Sequence, residues 1–235
     1  MEDARTIASA LARTIKARAI YHGRQRVSLP LPPRETVAPS GGLTFEQLRQ
    51  NALSCQKCAL CETRNIVVFG EGSETADLMF IGEAPGAEED RTGRPFVGRA
   101  GELLTRMIEN GMGLRRDEVY IANVLKCRPP SNRDPAADEV ERCRPWLLQQ
   151  IEHIQPKVIC TLGRHALRAL TGYEGGISRA RGRTMPFAGT QVLPTFHPAY
   201  LLRNPAAKRE AWEDLKTVLG LLGRPLPAPG KNRRG

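Results

Sequence analysis

Residues 77–98 read DLMFIGEAPGAEEDRTGRPFVG. The first six form an apolar run of strand length that stops at Gly82, and a short continuous run of this kind is the signature of a strand buried on both faces. A turn carrying Gly82, Pro85 and Gly86 follows, where backbone without a Cβ can approach a ligand closely and the proline stiffens the bend. Three later runs share this character: 119–124 (VYIANV), 157–162 (KVICTL) and 191–196 (QVLPTF). Helical patterns occupy 100–111, 136–153, 164–170 and 209–222. Strand alternating with helix predicts an α/β fold, a three-layer α/β/α sandwich around a central four-stranded parallel sheet. Ligands of such sheets gather beyond the carboxyl ends of the strands. Gly82, Glu83, Asn123, Gly163 and His197 all fall at those ends.

The domain is expected over 43–222, with Thr44 and Gln47 forming a capping box at its first helix. Residues 27–42 (VSLPLPPRETVAPSGG) are too rich in Pro, Ser and Gly to pack, and read as a linker behind a basic N-terminal extension over 1–42. The formal charge is +10 over 235 residues. Residues 1–44 hold seven Lys/Arg against three Asp/Glu, and 223–235 hold four basic residues and no acid, so the tails carry +4 each and the body about +2. Basic tails attract polyanions without sequence preference, which fits a nucleic-acid partner; solubilising tails would show the same charge. No apolar run is long enough to span a membrane, and the N-terminus lacks a secretory signal, so a cytoplasmic protein is expected. An Arg-rich amphipathic start leaves organelle targeting open for a eukaryotic source. There is no internal repeat.

Six cysteines occur: Cys55, Cys58 and Cys61 at three-residue spacing, then Cys127, Cys143 and Cys160. The chain is too long and too cysteine-poor for a secreted disulfide scaffold. Cys55, Cys58, Cys127 and Cys143 are the expected metal ligands, brought from separate places to tie the N-terminal segment onto the sheet. Spacing alone suits zinc as well as an iron–sulfur cluster, and unligated core cysteines are a third reading. Cys61 is an alternative to Cys58, and Cys160 sits in an apolar strand as a core residue.

Taken singly, the other polar residues have ordinary explanations. The acids at 88–90 suit a solvated helix start, Asn123 a turn, and His197 a satisfied structural histidine. In combination they are far more specific. GEAPGAEED, GRPFVGRAGELL, ANVLKCRPPSNR, CRPWL and FHPAYLLRNP, in this order, closely resemble the family 4 uracil-DNA glycosylases, the iron–sulfur branch of that superfamily, over about residues 45–222.

The resemblance implies a hydrolase that releases uracil from DNA in base excision repair. Its partner is uracil-containing DNA, single- or double-stranded, and the protein acts as a monomer, associated with the nucleoid in a prokaryote. It also implies a [4Fe-4S] cluster on Cys55, Cys58, Cys127 and Cys143, structural rather than redox-active. Gly82, Glu83 and Ala84 would line the base, Phe96 would stack on it, Asn123 would pair with its edge, and His197 would donate to the carbonyl oxygen that gains charge. Glu83 and Glu89 would support the loop or a water. Tyr200, Leu201, Leu202 and Arg203 would fill the gap left by the flipped nucleotide, with Leu201 or Leu202 as the wedge. Ala84 stands where family 1 enzymes carry a water-activating aspartate. The basic insertion of a covalently trapping branch is absent after Cys127. Two rival readings are a DNA-binding module without turnover, inactive or covalently trapping, and a redox-sensing iron–sulfur protein.

Overall fold

The structure is a computed structural model that describes residues 42–227. The extension expected over 1–42, apart from Gly42, and the part of the expected tail from residue 228 on lie outside the described residues.

Four strands are buried along their whole length: β2 (Leu78–Gly82), β3 (Tyr120–Asn123), β4 (Val158–Leu162) and, apart from Gln191, β6 (Thr190–Thr195). They run parallel in the spatial order β3-β2-β4-β6. Because side chains alternate between faces, each strand supplies two cores. Met79, Ile81, Tyr120, Ala122, Ile159 and Val192 pack on one side with helices α1 (Phe45–Leu53), α4 (Ala137–Ile154) and α5 (Arg164–Thr171). Leu78, Phe80, Ile121, Cys160 and Leu193 pack on the other against Leu104, Ile108, Leu215 and Val218. The first two of these lie on α3 (Arg99–Arg106) and the π-helical turn Met107–Met112 that continues it, the last two on α8 (Lys208–Leu221). This is the expected three-layer sandwich.

Among the described residues the sheet is wider than expected, with six strands and not four. Two-residue β1 (Glu71–Gly72) pairs antiparallel with β3, and three-residue β5 (Met185–Phe187) pairs antiparallel with β6. Both are too short to leave a periodic signal, and Pro186 argues against a strand locally. The β5–β6 hairpin turns at Ala188 and Gly189, both at positive φ (45° and 81°), as a type I′ turn requires. Such brief edges offer little unpaired backbone to other chains.

The Thr44–Gln47 capping box is present in both directions, opening α1 one residue later. Three further short helices complete the frame: α2 (Ala87–Thr92), α6 (Ile177–Ala180) and α7 (Pro198–Arg203). From β2 the chain crosses to β3 on one side, and from β4 toward β6 on the other, so the strand order reverses between β2 and β4. A crevice therefore opens at the carboxyl ends of these two strands. Register places Gly82 level with Asn123, and Leu162 level with Thr195. The residues that follow the strands thus leave from one rim.

Candidate active site and cysteine cluster

Gly82 is the floor of this rim. A Cβ there would overlap Asn123 Oδ1 and fall 2.5 Å from Phe96 Cζ, so only glycine lets those two side chains converge. Phe96 has φ of +52°, a left-handed conformation that bulky residues avoid and that persists only when surroundings enforce it. Gly101 on α3 passes under its carbonyl, where any Cβ would overlap. The ring is buried and stands 5.8 Å from the His197 ring, inclined by 36°.

Asn123 is 1% exposed, and its Oδ1 has no hydrogen-bond partner. An orphaned buried acceptor costs about 1–3 kcal/mol and calls for an explanation, commonly a ligand donor. The backbone of Asn123 is held from behind. Buried Lys126 donates from Nζ to the Asn123 carbonyl (2.9 Å) and to Gln150 Oε1 (2.6 Å). Gln150 in turn donates to the Phe69 carbonyl and the Tyr120 hydroxyl.

His197 is half-buried and caps α7. Its Nδ1 accepts from the Ala199 N–H at 3.1 Å. That bond leaves the ring proton on Nε2, making a neutral donor. Burial pushes its pKa down to about 4; Arg203 assists and Glu89 opposes. Neutral imidazole is therefore the form at physiological pH.

The acids of the glycine loop divide into two kinds. Glu89 is a clamp: Oε2 accepts from the Gly86 N–H (3.1 Å), and Oε1 from the Val97 and Gly98 N–H groups (2.9 Å each). With its oxygens engaged in this way, its place is to tie the loop after β2 to the turn carrying Phe96. The chemical role expected for it narrows to support. Glu83 instead turns toward Asp134 and His165, with ligand atoms of the three within 4.8 Å of one another. Burial raises the Glu83 pKa, and Asp134 adds to this, while His165 and Arg164 oppose. Such a triad can take a cation, although the Arg164 guanidinium already bonds His165 (3.0 Å) and lies 3.8 Å from Asp134. Asp134 and His165 were missed in the sequence because 82 residues separate Glu83 from His165, and no local motif joins them. Ala84 is half-buried on the same loop.

The four residues expected as a wedge separate on α7. Leu201, 1% exposed, packs with Leu103, Phe196 and Ala211 and anchors the helix, so it is removed from the wedge. Tyr200 is 39% exposed, Leu202 is half-buried and Arg203 is exposed. A 3.6-residue period puts adjacent leucines on different faces, and only one of them faces out.

Away from this rim, Cys55, Cys58, Cys127 and Cys143 line one cavity together with Lys57, Arg64, Lys126, Arg142 and Trp146. Three sulfurs have donors aimed at them: Arg64 to Cys127 (3.4 Å), Trp146 to Cys55 (3.3 Å) and the Lys126 N–H to Cys143 (3.3 Å). Donors and cations around sulfur fit thiolates carrying negative charge. Burial raises the pKa of the Cys58 and Cys127 thiols and pushes that of Cys143 up to about 12. Cys61 lies on the 3-10 turn Ala59–Glu62 and does not line the cavity. Cys160 is wholly buried in β4, as expected of a core residue.

The family model described as "Uracil DNA glycosylase superfamily" matches residues 69–216. A type-4 uracil-DNA glycosylase of Sulfurisphaera tokodaii is 45% identical over 183 residues, covering 74% of this chain and 83% of that protein. One from Thermotoga maritima is 48% identical, over 68% and 84% of the two chains, and one from Archaeoglobus fulgidus is 42% identical, over 78% and 96%. A match of this depth across the sheet, the glycine loop and the His197 helix places the chain in the type-4 branch of the uracil-DNA glycosylase superfamily.

Proposed function

We propose that this chain hydrolyses the N-glycosidic bond of deoxyuridine in DNA, releasing free uracil and leaving an abasic site. The observation that carries the reading is the convergence of Phe96, Asn123 and His197 above Gly82, with Asn123 Oδ1 buried and lacking a donor.

The target nucleotide must leave the stack, which costs a few kcal/mol. Leu202, with Tyr200 and Arg203 beside it, occupies the vacated space. Phe96 stacks on the extruded ring. Asn123 Oδ1 accepts the ring N–H of uracil; cytosine carries a lone pair at that position and is rejected by the mismatch of two acceptors. As the bond to the sugar breaks, negative charge spreads onto the base oxygens. The Nε2–H of neutral His197 donates to one of them. A preorganised donor of this kind is worth about 3–4 kcal/mol in other hydrolases. Glu83, half-buried at the rim, orients the water that captures the sugar.

Cys55, Cys58, Cys127 and Cys143 would hold a [4Fe-4S] cluster, whose contribution would be a mechanical tie of the segment after α1 to the β3 exit and to α4. The support is the family together with the donors that face three of the sulfurs. Lys126, between Cys127 and the Asn123 carbonyl, links this anchor to the pocket.

The DNA partner is supported by the family and by a net charge of +10. Action as a monomer on single- or double-stranded DNA, in the cytoplasm and at the nucleoid of a prokaryotic cell, completes the reading. No helix among the described residues is long and apolar enough to cross a membrane. A single-uracil oligonucleotide with mass detection of the products tests the activity. Release of uracil supports it, and tight binding without release assigns the chain to the non-catalytic alternative.

A further inference from the structure

Phe96 is held against its conformational preference, and the groups that hold it extend beyond the glycine loop. Downstream, Glu89 accepts from Val97 and Gly98. Upstream the fastening comes from a different part of the chain. Arg116, in the 3-10 turn Arg116–Glu118 before β3, donates from Nη2 to the Pro95 carbonyl at 2.6 Å and from Nη1 to Thr105 Oγ1 at 2.9 Å. Its side chain is only 15% exposed. Glu71 on edge strand β1 stands 3.7 Å from it and takes two bonds of 2.8 Å from Arg94. Both residues preceding Phe96 are thus fixed, Arg94 by its side chain and Pro95 by its carbonyl.

We propose that Arg116 is a positioning residue for Phe96. Its guanidinium, backed by Glu71, fixes the Pro95 carbonyl so that the next residue is kept left-handed with its ring over the pocket floor. Proline has no N–H, so its carbonyl is the sole backbone hydrogen-bonding group by which that residue can be held. Arginine suits the task because one planar fork reaches a carbonyl and a hydroxyl together. Released from this bond, the Phe96 backbone relaxes and the ring leaves the stacking plane. Arg116 never meets the base and acts only through Phe96. The inference rests on the uracil-releasing reading of the pocket.

The test is a double-mutant cycle on the full-length chain with its native metal content, under single-turnover conditions with a uracil-containing duplex. Arg116→Met, Phe96→Leu and the pair are compared with wild type, and Arg115→Met serves as an exposed neighbour control. Arg116→Met is expected to lower the maximal rate about tenfold, the scale of one lost base–aromatic stack, while affinity for abasic-site DNA stays within about twofold. On the Phe96→Leu background the same change should cost less than about twofold, because the ring it positions is gone. Arg116→Lys, which restores one donor, should recover part of the rate. Equal losses on both backgrounds would mean a general structural role and overturn the proposal. Should Arg116→Met fail to fold, Glu71→Gln enters the same cycle with the same expectation and the same overturning result. A wild-type chain that releases no uracil defeats the reading of the site itself, and the inference falls with it; an active wild type with additive losses defeats the inference alone.

Discussion

The unsatisfied carboxamide oxygen of Asn123 and the neutral imidazole of His197 each yield a test. Removing a buried acceptor that has no partner should not destabilise the fold, whereas removing a group that reads the base should abolish discrimination. Asn123→Leu is therefore expected to melt at or above the wild-type temperature while uracil release falls about a hundredfold; a clear drop in melting temperature would show that Oδ1 is satisfied in the free protein. For His197 the sign follows from its lowered pKa of about 4 against an ordinary value of 6.5. Above pH 6.5 the residue is neutral in both folded and unfolded chains and stability is unaffected. As pH falls from 6.5 toward 4 the unfolded chain binds the proton first, so stability declines across that window. The donor form persists throughout it. The single-turnover rate should accordingly show no acid limb due to this residue between pH 8 and about 5.5, and should fall near pH 4. A midpoint near 6.5 would contradict the assignment of a buried, Nδ1-capped imidazole.

Among the elements, α7 separates anchoring from reading. Leu201→Ala opens the packing around Leu103 and Phe196 and should cost about 2–5 kcal/mol of stability, measured by denaturant unfolding. Leu202→Ala should leave stability within about 0.5 kcal/mol and slow release from duplex more than from single-stranded DNA, where no stack must be opened. The reverse pattern would place the wedge at Leu201. The sequence could narrow the wedge only to two adjacent leucines. Which one faces solvent depends on how α7 packs against α8 and against α3, which lies about 100 positions earlier in the chain. The four parallel strands were legible because burial on both faces leaves continuous apolar runs such as LMFIG and VICTL. The edge strands were not, since two or three residues form no pattern and their pairing depends on distant neighbours.

At the scale of the molecule, two constructions meet at β3. Its carboxyl end delivers Asn123 to the pocket, and four residues later Cys127 to the sulfur cavity, with Lys126 between them. Cys127→Ala is expected to remove bound iron and visible absorbance and to leave residues 45–62 open to proteolysis. Cys61→Ala should change neither; retained absorbance in the first variant or loss in the second would redraw the ligand set. The order of the motifs along the chain was enough to name Phe96, Asn123 and His197, which the fold brings together at the Gly82 rim. Their supports were not visible, because Arg116, Glu71, Lys126, Gln150, Asp134 and His165 act through contacts between separate elements and carry no local signature. Glu89 shows the same limit from the other side: the loop acid was visible, but its engagement with three backbone N–H groups required the fold. The proposed pocket requires Phe96, Asn123 and His197 to hold a base jointly while its bond to the sugar breaks. Its most direct test is the mass-resolved, single-turnover conversion of a single-uracil duplex by the wild-type chain and by His197→Ala at matched DNA occupancy. Free uracil and an abasic strand are expected from the first, and a rate lower by at least about a hundredfold from the second with DNA binding retained. A His197→Ala rate close to wild type would contradict it.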